Sequence, residues 1–223
     1  MPPISHVIFD LDGTLVDSLP GIESSARAAL MDVCPEKPVP DLRSLLGPPI
    51  REVLHRALNE EDPAVLDALQ SVFRVHYDQQ GWMGTFLYPG VREVLDALRS
   101  RGLTMIVLTN KPALPTGRIM EQLVVSEFFN EVVTPDSRMP PFSSKVEAAR
   151  YLKMKRGLRG DNTLLVGDSA DDVAAAHACD FLFGSACFGY GGAGDIPGGT
   201  VHFRLKAFAD LVSIIEGTVG NFS

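Results

Sequence analysis

Five short apolar runs recur along the chain: Val7-Ile8-Phe9, Met105-Ile106-Val107-Leu108, Val132-Val133, Leu164-Leu165-Val166 and Phe181-Leu182-Phe183. Unbroken runs of this length, rather than strict alternation, suit parallel strands covered on both faces. Segments of helical period lie between them. Val91, Val94, Leu95 and Leu98 define one helix face with Gly102 as its stop, and Ile119, Leu123 and Val124 a second. Val146, Ala149 and Leu152, ahead of Gly157, give a third; Val173, Ala175 and Ala176 give a small-residue helix; Phe208, Leu211, Val212 and Ile215 give a last one. Strand and helix alternate, which predicts a doubly wound α/β domain with a parallel sheet.

From about Leu19 to Phe86 the strand signal disappears. Ile22, Ala26, Ala29, Leu30 and Val33 share one face, Ile50, Val53, Leu54, Ala57 and Leu58 a second, and Leu66, Leu69, Val72, Phe73 and Tyr77 a third. Prolines punctuate the gaps. The expectation is a core built from residues 1–17 and 87–223, with an all-helical insertion over 18–86 after the first strand. Met31, Phe73 and Tyr77 are expected in the insertion's own core.

Ligands of open α/β sheets bind beyond the carboxyl ends of the strands. The residues just past three apolar runs are Asp10 and Asp12, then Thr109-Asn110-Lys111, then Gly167-Asp168-Ser169. Taken alone, Asp10-Leu11-Asp12-Gly13 reads equally as a strand end followed by a glycine turn. Jointly, the three strand ends place acids, hydroxyls and an amide on one edge. Two carboxylates one residue apart repel and cost desolvation unless something positive sits with them.

These segments resemble the haloacid-dehalogenase-like hydrolase superfamily, specifically its phosphoglycolate-phosphatase-like members with a helical cap. "DLDGTLVDS" from Asp10 to Ser18 matches the first motif, "VLTNK" from Val107 to Lys111 the second, and "VGDSADD" from Val166 to Asp172 the fourth; "YPGV" from Tyr88 matches the return from cap to core. The third motif departs from the family pattern. No Lys-Pro pair follows Thr134; Lys145 is the best match and Arg138 the competing cation. Asp180 stands where the family usually has glycine before the next strand.

The resemblance implies a Mg²⁺-dependent hydrolysis of a small phosphorylated metabolite through an aspartyl-phosphate. Asp10 would be nucleophile and metal ligand, and Asp12 the acid/base, its backbone carbonyl a further ligand. Asp168 would complete the protein ligands, with Asp172 supporting them one helical turn on. Lys145 would be catalytic and, with Gly13, Thr109 and Asn110, would hold the phosphate. Arg51, after Gly47-Pro48-Pro49, is a candidate to reach the mouth from the cap, against the alternative of a solvated helix-start arginine. A phosphosugar mutase on the same scaffold and a non-catalytic binding protein are the alternatives. Asp17 and Ser18 read as hinge or helix-start residues, and Asp171 as an exposed neighbour.

The net charge of −8 argues against nucleic-acid or anionic-membrane partners. It leaves room for a small anion, because a metal and one lysine reverse the sign locally. With no apparent signal segment or membrane span, and three scattered cysteines without a CxxC pair, a cytoplasmic monomer or homodimer is expected. The five histidines show no metal-ligand spacing. "GYGGAG", Gly189 to Gly194, fits a dinucleotide pattern, but the stretch after it is no helix, so it reads as a flexible loop. Asn221-Phe222-Ser223 reads as a fraying tail.

Overall fold

The computed structural model describes residues 2–191 and 200–219. Gly192 to Gly194 of the glycine-rich loop and the Asn221-Phe222-Ser223 tail lie outside the described residues. Among those described, six strands form one parallel sheet: β1 (His6–Phe9), β4 (Thr104–Leu108), β5 (Glu131–Val133), β6 (Thr163–Gly167), β7 (Leu182–Ala186) and β8 (Phe203–Leu205), in the order β5-β4-β1-β6-β7-β8. Two further strands, β2 (Val16–Asp17) and β3 (Phe86–Leu87), pair antiparallel apart from it.

Side chains alternate across a strand, so each apolar run feeds two cores. Val7 and Phe9 of β1, Met105 and Val107 of β4, and Leu164 and Val166 of β6 face one cluster. That cluster is covered by α4 (Val91–Ser100), α5 (Ala113–Gln122) and α8 (Asp210–Val219). Ile8, Ile106, Leu108 and Leu165 face the other, covered by α6 (Lys145–Arg156) and α7 (Ala170–His177). This double burial is why the strands read as continuous rather than alternating. Full burial of a side chain such as Phe9 stabilises the fold by about 1.5–3 kcal/mol.

Between β2 and β3 the chain is helical, with α1 (Leu19–Val33), α2 (Ile50–Leu58) and α3 (Pro63–Gln79) around a separate core of Ile22, Ala26, Leu30, Val53, Leu54, Leu69 and Phe73. Asp62 starts α3 by accepting a hydrogen bond from the Ala64 amide at 2.8 Å, and Pro63 occupies the first helical position. α6 opens on Ser144, whose hydroxyl accepts from the Glu147 amide at 3.2 Å, and closes on Gly157 in the left-handed region.

Some local expectations change. β8 escapes detection because Phe203-Arg204-Leu205 is too short to show a pattern, and β2 and β3 are shorter still. α5 ends before Leu123, and Val124 adopts a left-handed φ of 53° with its side chain largely exposed. Met31 is 68% exposed and belongs to no core, whereas Phe73 and Tyr77 are buried. Asp180 does adopt the left-handed turn conformation, with φ of 55°.

Candidate active site

The polar edge lies at the carboxyl ends of β1, β4 and β6. Asp10 leaves β1 with its amide still bonded to the Val166 carbonyl at 2.9 Å, so sheet pairing fixes its backbone. Gly13 then turns the chain back with φ of +85°. A Cβ on Gly13 would stand 2.2 Å from Asp168 Oδ2, so only glycine permits this turn against the acid from β6.

Asp10, Asp168 and Asp172 are all buried, and each offers an oxygen within 4.8 Å of the others. Lys145, at the first turn of α6, is buried among them, with Nζ 2.6 Å from Asp10 Oδ1 and 2.6 Å from Asp172 Oδ1. Asp172 also accepts from the Ser169 amide (3.0 Å) and hydroxyl (2.5 Å) at the start of α7, while the Tyr190 and Gly191 amides donate to Asp168 Oδ2 at 2.7 and 3.2 Å. Among the described residues Asp168 Oδ1 is buried with no hydrogen-bond partner.

Three carboxylates against one ammonium are an unbalanced buried charge, which is costly. Burial, with the Asp172 and Asp168 charges, raises the Asp10 pKa well above the usual carboxylate range despite the opposing Lys145. Burial, reinforced by Asp172, pushes Asp168 up to about 7 against the amides of Gly191 and Tyr190. For Lys145, burial works against the charge, but Asp10 and Asp172 outweigh it and hold the ammonium above its ordinary value. An all-oxygen, net-negative donor set with an unpartnered buried oxygen fits a hard divalent cation such as Mg²⁺.

The Asp12 carboxylate stands apart from this cluster of Asp10, Asp168 and Asp172. Lys111 Nζ donates to both Asp12 oxygens, at 2.9 and 3.0 Å, and the Ser18 hydroxyl donates to Oδ1 at 2.5 Å. Thr109 is buried at the end of β4, its hydroxyl accepting from the Lys111 amide at 3.1 Å. Asn110 Nδ2 donates to the Gly47 carbonyl at 2.9 Å and to Asp171 Oδ2 at 2.8 Å, so Asp171 is a tether rather than a free surface acid. Gly47 itself approaches α7 closely, since a Cβ there would lie 2.7 Å from Ser169 Cβ.

A cleft of about 110 Å³ opens beside Asp10, Asp12, Thr109, Asn110 and Lys111. Its opposite wall comes from the helical segment and is mainly apolar, with Ile22, Ile50, Val53, Phe73 and Tyr77, plus Arg74 and Asp78 on α3. Phe73 and Tyr77 therefore serve both the segment's core and the cleft. Arg51 does not line it; its Nε pairs with Asp67 Oδ1 at 2.9 Å on the solvent side, because its position on α2 faces α3 rather than β1. Arg138 pairs with Glu147 and stacks 4.2 Å from the Phe142 ring centroid, so the cation beside Asp10 is Lys145.

Sequence reasoning assigned no site role to Lys111, Ser18, Arg74 or Tyr190. The only available signal was position: Lys111 shares a strand end with Thr109, and Ser18 closes the motif that Asp10 begins.

Three comparisons place this geometry among known proteins. A family model described as haloacid dehalogenase-like hydrolase matches residues 4–180. A Pseudomonas putida protein named phosphoglycolate phosphatase is 30% identical over 191 residues, covering 82% of this chain and 70% of its own. One of the same name from Photobacterium profundum is 28% identical over 96% of each chain. A crystal structure described as a predicted phosphoglycolate phosphatase from Haemophilus somnus superimposes with a TM-score of 0.83 at 28% identity, covering 96% of this chain and 99% of that one. With the α/β sheet, the acid cluster and the family match in agreement, the chain belongs to the haloacid dehalogenase-like hydrolases.

Proposed function

We propose that this hydrolase is a Mg²⁺-dependent phosphomonoesterase that works through an aspartyl-phosphate, with the helical segment over 18–86 as a cap on the core of 1–17 and 87–223. The observation that carries the reading is that Asp10 and Asp12 face one cleft yet are held differently, Asp10 by Lys145 and Asp12 by Lys111 and Ser18.

In the first step an Asp10 carboxylate oxygen bonds to phosphorus as the bond to the leaving oxygen breaks, and Asp12 gives that alkoxide its proton. In the second, water attacks the same phosphorus, Asp12 takes the water's proton, and the Asp10–phosphorus bond breaks to free inorganic phosphate. Lys145 holds charge on the transferring group, while Thr109 and the backbone of Gly13 and Asn110 cradle its oxygens. Asp10, Asp168 and the Asp12 carbonyl, supported by Asp172, would hold Mg²⁺, which supplies positive charge to the phosphoryl oxygens when bound.

The cleft is small and its cap wall mostly apolar, which favours a short substrate. Lys111 is committed to Asp12, which leaves Arg74 as the cleft cation available to an acidic tail. Phosphoglycolate, named in the relatives, has that shape: one phosphate and one carboxylate.

The test is phosphate release from phosphoglycolate, sugar phosphates and nucleoside monophosphates, with Mg²⁺ and after chelation. Release that needs metal and is abolished in a folded Asp10→Asn variant supports the reading. No release from any ester overturns it, and sugar-phosphate isomer formation in place of release points to a mutase.

A further inference from the structure

The glycine-rich loop after β7 carries a residue that the chemistry above leaves unused. Tyr190 is 5% exposed, and its hydroxyl reaches back across the molecule to the start of α1. There it accepts hydrogen bonds from the Ser18 amide at 2.6 Å and the Leu19 amide at 3.0 Å, and it donates to Asp17 Oδ1 at 3.0 Å. A hydroxyl has one proton and two lone pairs, so this one is fully used.

Those two accepted bonds fix where the Ser18 backbone stands. Ser18 occupies the residue before α1, where a serine hydroxyl ordinarily caps its own helix, yet it makes no cap hydrogen bond. The second helical residue is Pro20, which has no amide proton to offer. The Tyr190 hydroxyl is the more distant neighbour, 3.4 Å from Ser18 Oγ. The proton goes to Asp12 Oδ1 at 2.5 Å instead. Meanwhile the Tyr190 amide donates to Asp168 Oδ2 at 2.7 Å, and Arg43 of the helical segment lies 5.8 Å from the centre of the tyrosine ring. One residue thus touches the helix start, an acid of the buried cluster and the crossing between core and helical segment.

We propose that Tyr190 is a positioning residue: by accepting from the Ser18 and Leu19 amides it fixes the backbone from which the Ser18 hydroxyl orients Asp12. The inference deepens the phosphatase reading, and its kinetic arm rests on it. Tyr190→Phe removes the hydroxyl and keeps the ring. Ser18 is fully buried, so its amide then loses its acceptor without water to replace it, and Asp17 loses a donor.

The experiment combines kinetics with crystallography. Tyr190→Phe is expected to lower kcat about tenfold while KM stays within about twofold, as fits the loss of one orienting hydrogen bond. Ser18→Ala is expected to match it, and the double variant to fall no further, because the two residues act in series. Ser18→Thr, which restores a hydroxyl, should recover most of the loss. A crystal structure of Tyr190→Phe should show Ser18 Oγ beyond about 3.5 Å from Asp12. A Ser18–Asp12 hydrogen bond that persists in that crystal, a kcat within about twofold of wild type, or additive losses would overturn the inference. Should Tyr190→Phe melt below the assay temperature, loss in Ser18→Ala with recovery in Ser18→Thr supports the link, and an unchanged Ser18→Ala overturns it. A wild type inert on every phosphoester sinks the phosphatase reading instead, and the crystal comparison alone then decides for Tyr190.

Discussion

Lys111 and Asp12 form an ion pair, buried on the lysine side and partly open on the aspartate side, in which one ammonium meets both oxygens of one carboxylate, at 2.9 and 3.0 Å. The ammonium also lies 4.6 Å from the centre of the Tyr77 ring on α3. Burial alone would weaken the lysine's hold on its proton, but Asp12 and Tyr77 outweigh it and keep the pKa above the ordinary lysine value. Lys111 therefore bridges core and helical segment through Tyr77 as well as fixing the proposed acid/base.

Replacing this lysine by an apolar residue leaves a carboxylate stranded. Lys111→Met is expected to cost about 1–2 kcal/mol of stability, less than for a fully buried pair because the cleft and Ser18 still solvate Asp12. Urea denaturation reads this directly. Its kcat on an alkyl phosphate should fall on the order of 100-fold, as when an acid/base loses its alignment. A stability within about 0.5 kcal/mol of wild type would show that Asp12 does not depend on the lysine for its solvation.

Gly13→Ala tests the turn between the two acids. The new methyl meets Asp168 Oδ2 and the backbone must hold φ of +85°, so both sterics and strain oppose it. A cost of more than about 1 kcal/mol is expected, with phosphatase activity lost before the fold is, because the displaced group is Asp168. Activity and far-UV circular dichroism on the same sample separate the two effects.

Arg74→Ala addresses the tail of the substrate. The residue is exposed at the cleft wall, so its removal should leave stability within about 0.5 kcal/mol. KM for phosphoglycolate should rise roughly tenfold, the scale of one charge-assisted hydrogen bond, while KM for a phosphoester with a neutral tail stays put. Equal changes on both substrates would remove Arg74 from tail recognition.

Glu131 on β5 gives a pH-dependent prediction away from the acid cluster. Its side chain is 12% exposed and accepts from Lys155 Nζ at 2.7 Å and Arg156 Nε at 2.6 Å. Burial by itself would raise its pKa, but these two cations outweigh it and hold the carboxyl below the usual glutamate value. A depressed folded-state pKa contributes stability above the unfolded value of 4.5 and loses it as pH falls through the folded value. Glu131→Gln is thus expected to cost about 1 kcal/mol near neutral pH. The difference should shrink in urea titrations run below about pH 4.

Legibility from sequence followed the range of the interaction. Asp10, Asp168 and Thr109 announce themselves because a strand end is a local pattern and the sheet brings strand ends together. Lys145 was found with Arg138 as rival, and only the pairing of Arg138 with Glu147 and Phe142 separates the two. Lys111 looks like any loop lysine until α3 delivers Tyr77 over it. Ser18 sits where a cap belongs and instead donates to Asp12, with its backbone amide held by a tyrosine far along the chain. Arg51 had the right neighbourhood in sequence, but α2 turns it towards Asp67. In each miss the deciding contact is between elements distant in sequence, and no local periodicity encodes which side chains meet there.

The antiparallel pairing of β2 with β3 sets Asp17 directly across from Phe86. To the sheet, everything between those two residues is one hairpin loop, however long and however folded. Loop closure grows only logarithmically, by about 0.6 kcal/mol per doubling of length, so the core is nearly indifferent to the size of what it carries. Asp10, Asp168 and Lys145 would tolerate a graft of a foreign helical module at this clasp, provided the newcomer supplies a partner for Lys111. The chain is built so that what it recognises can be exchanged while the chemistry stays in place.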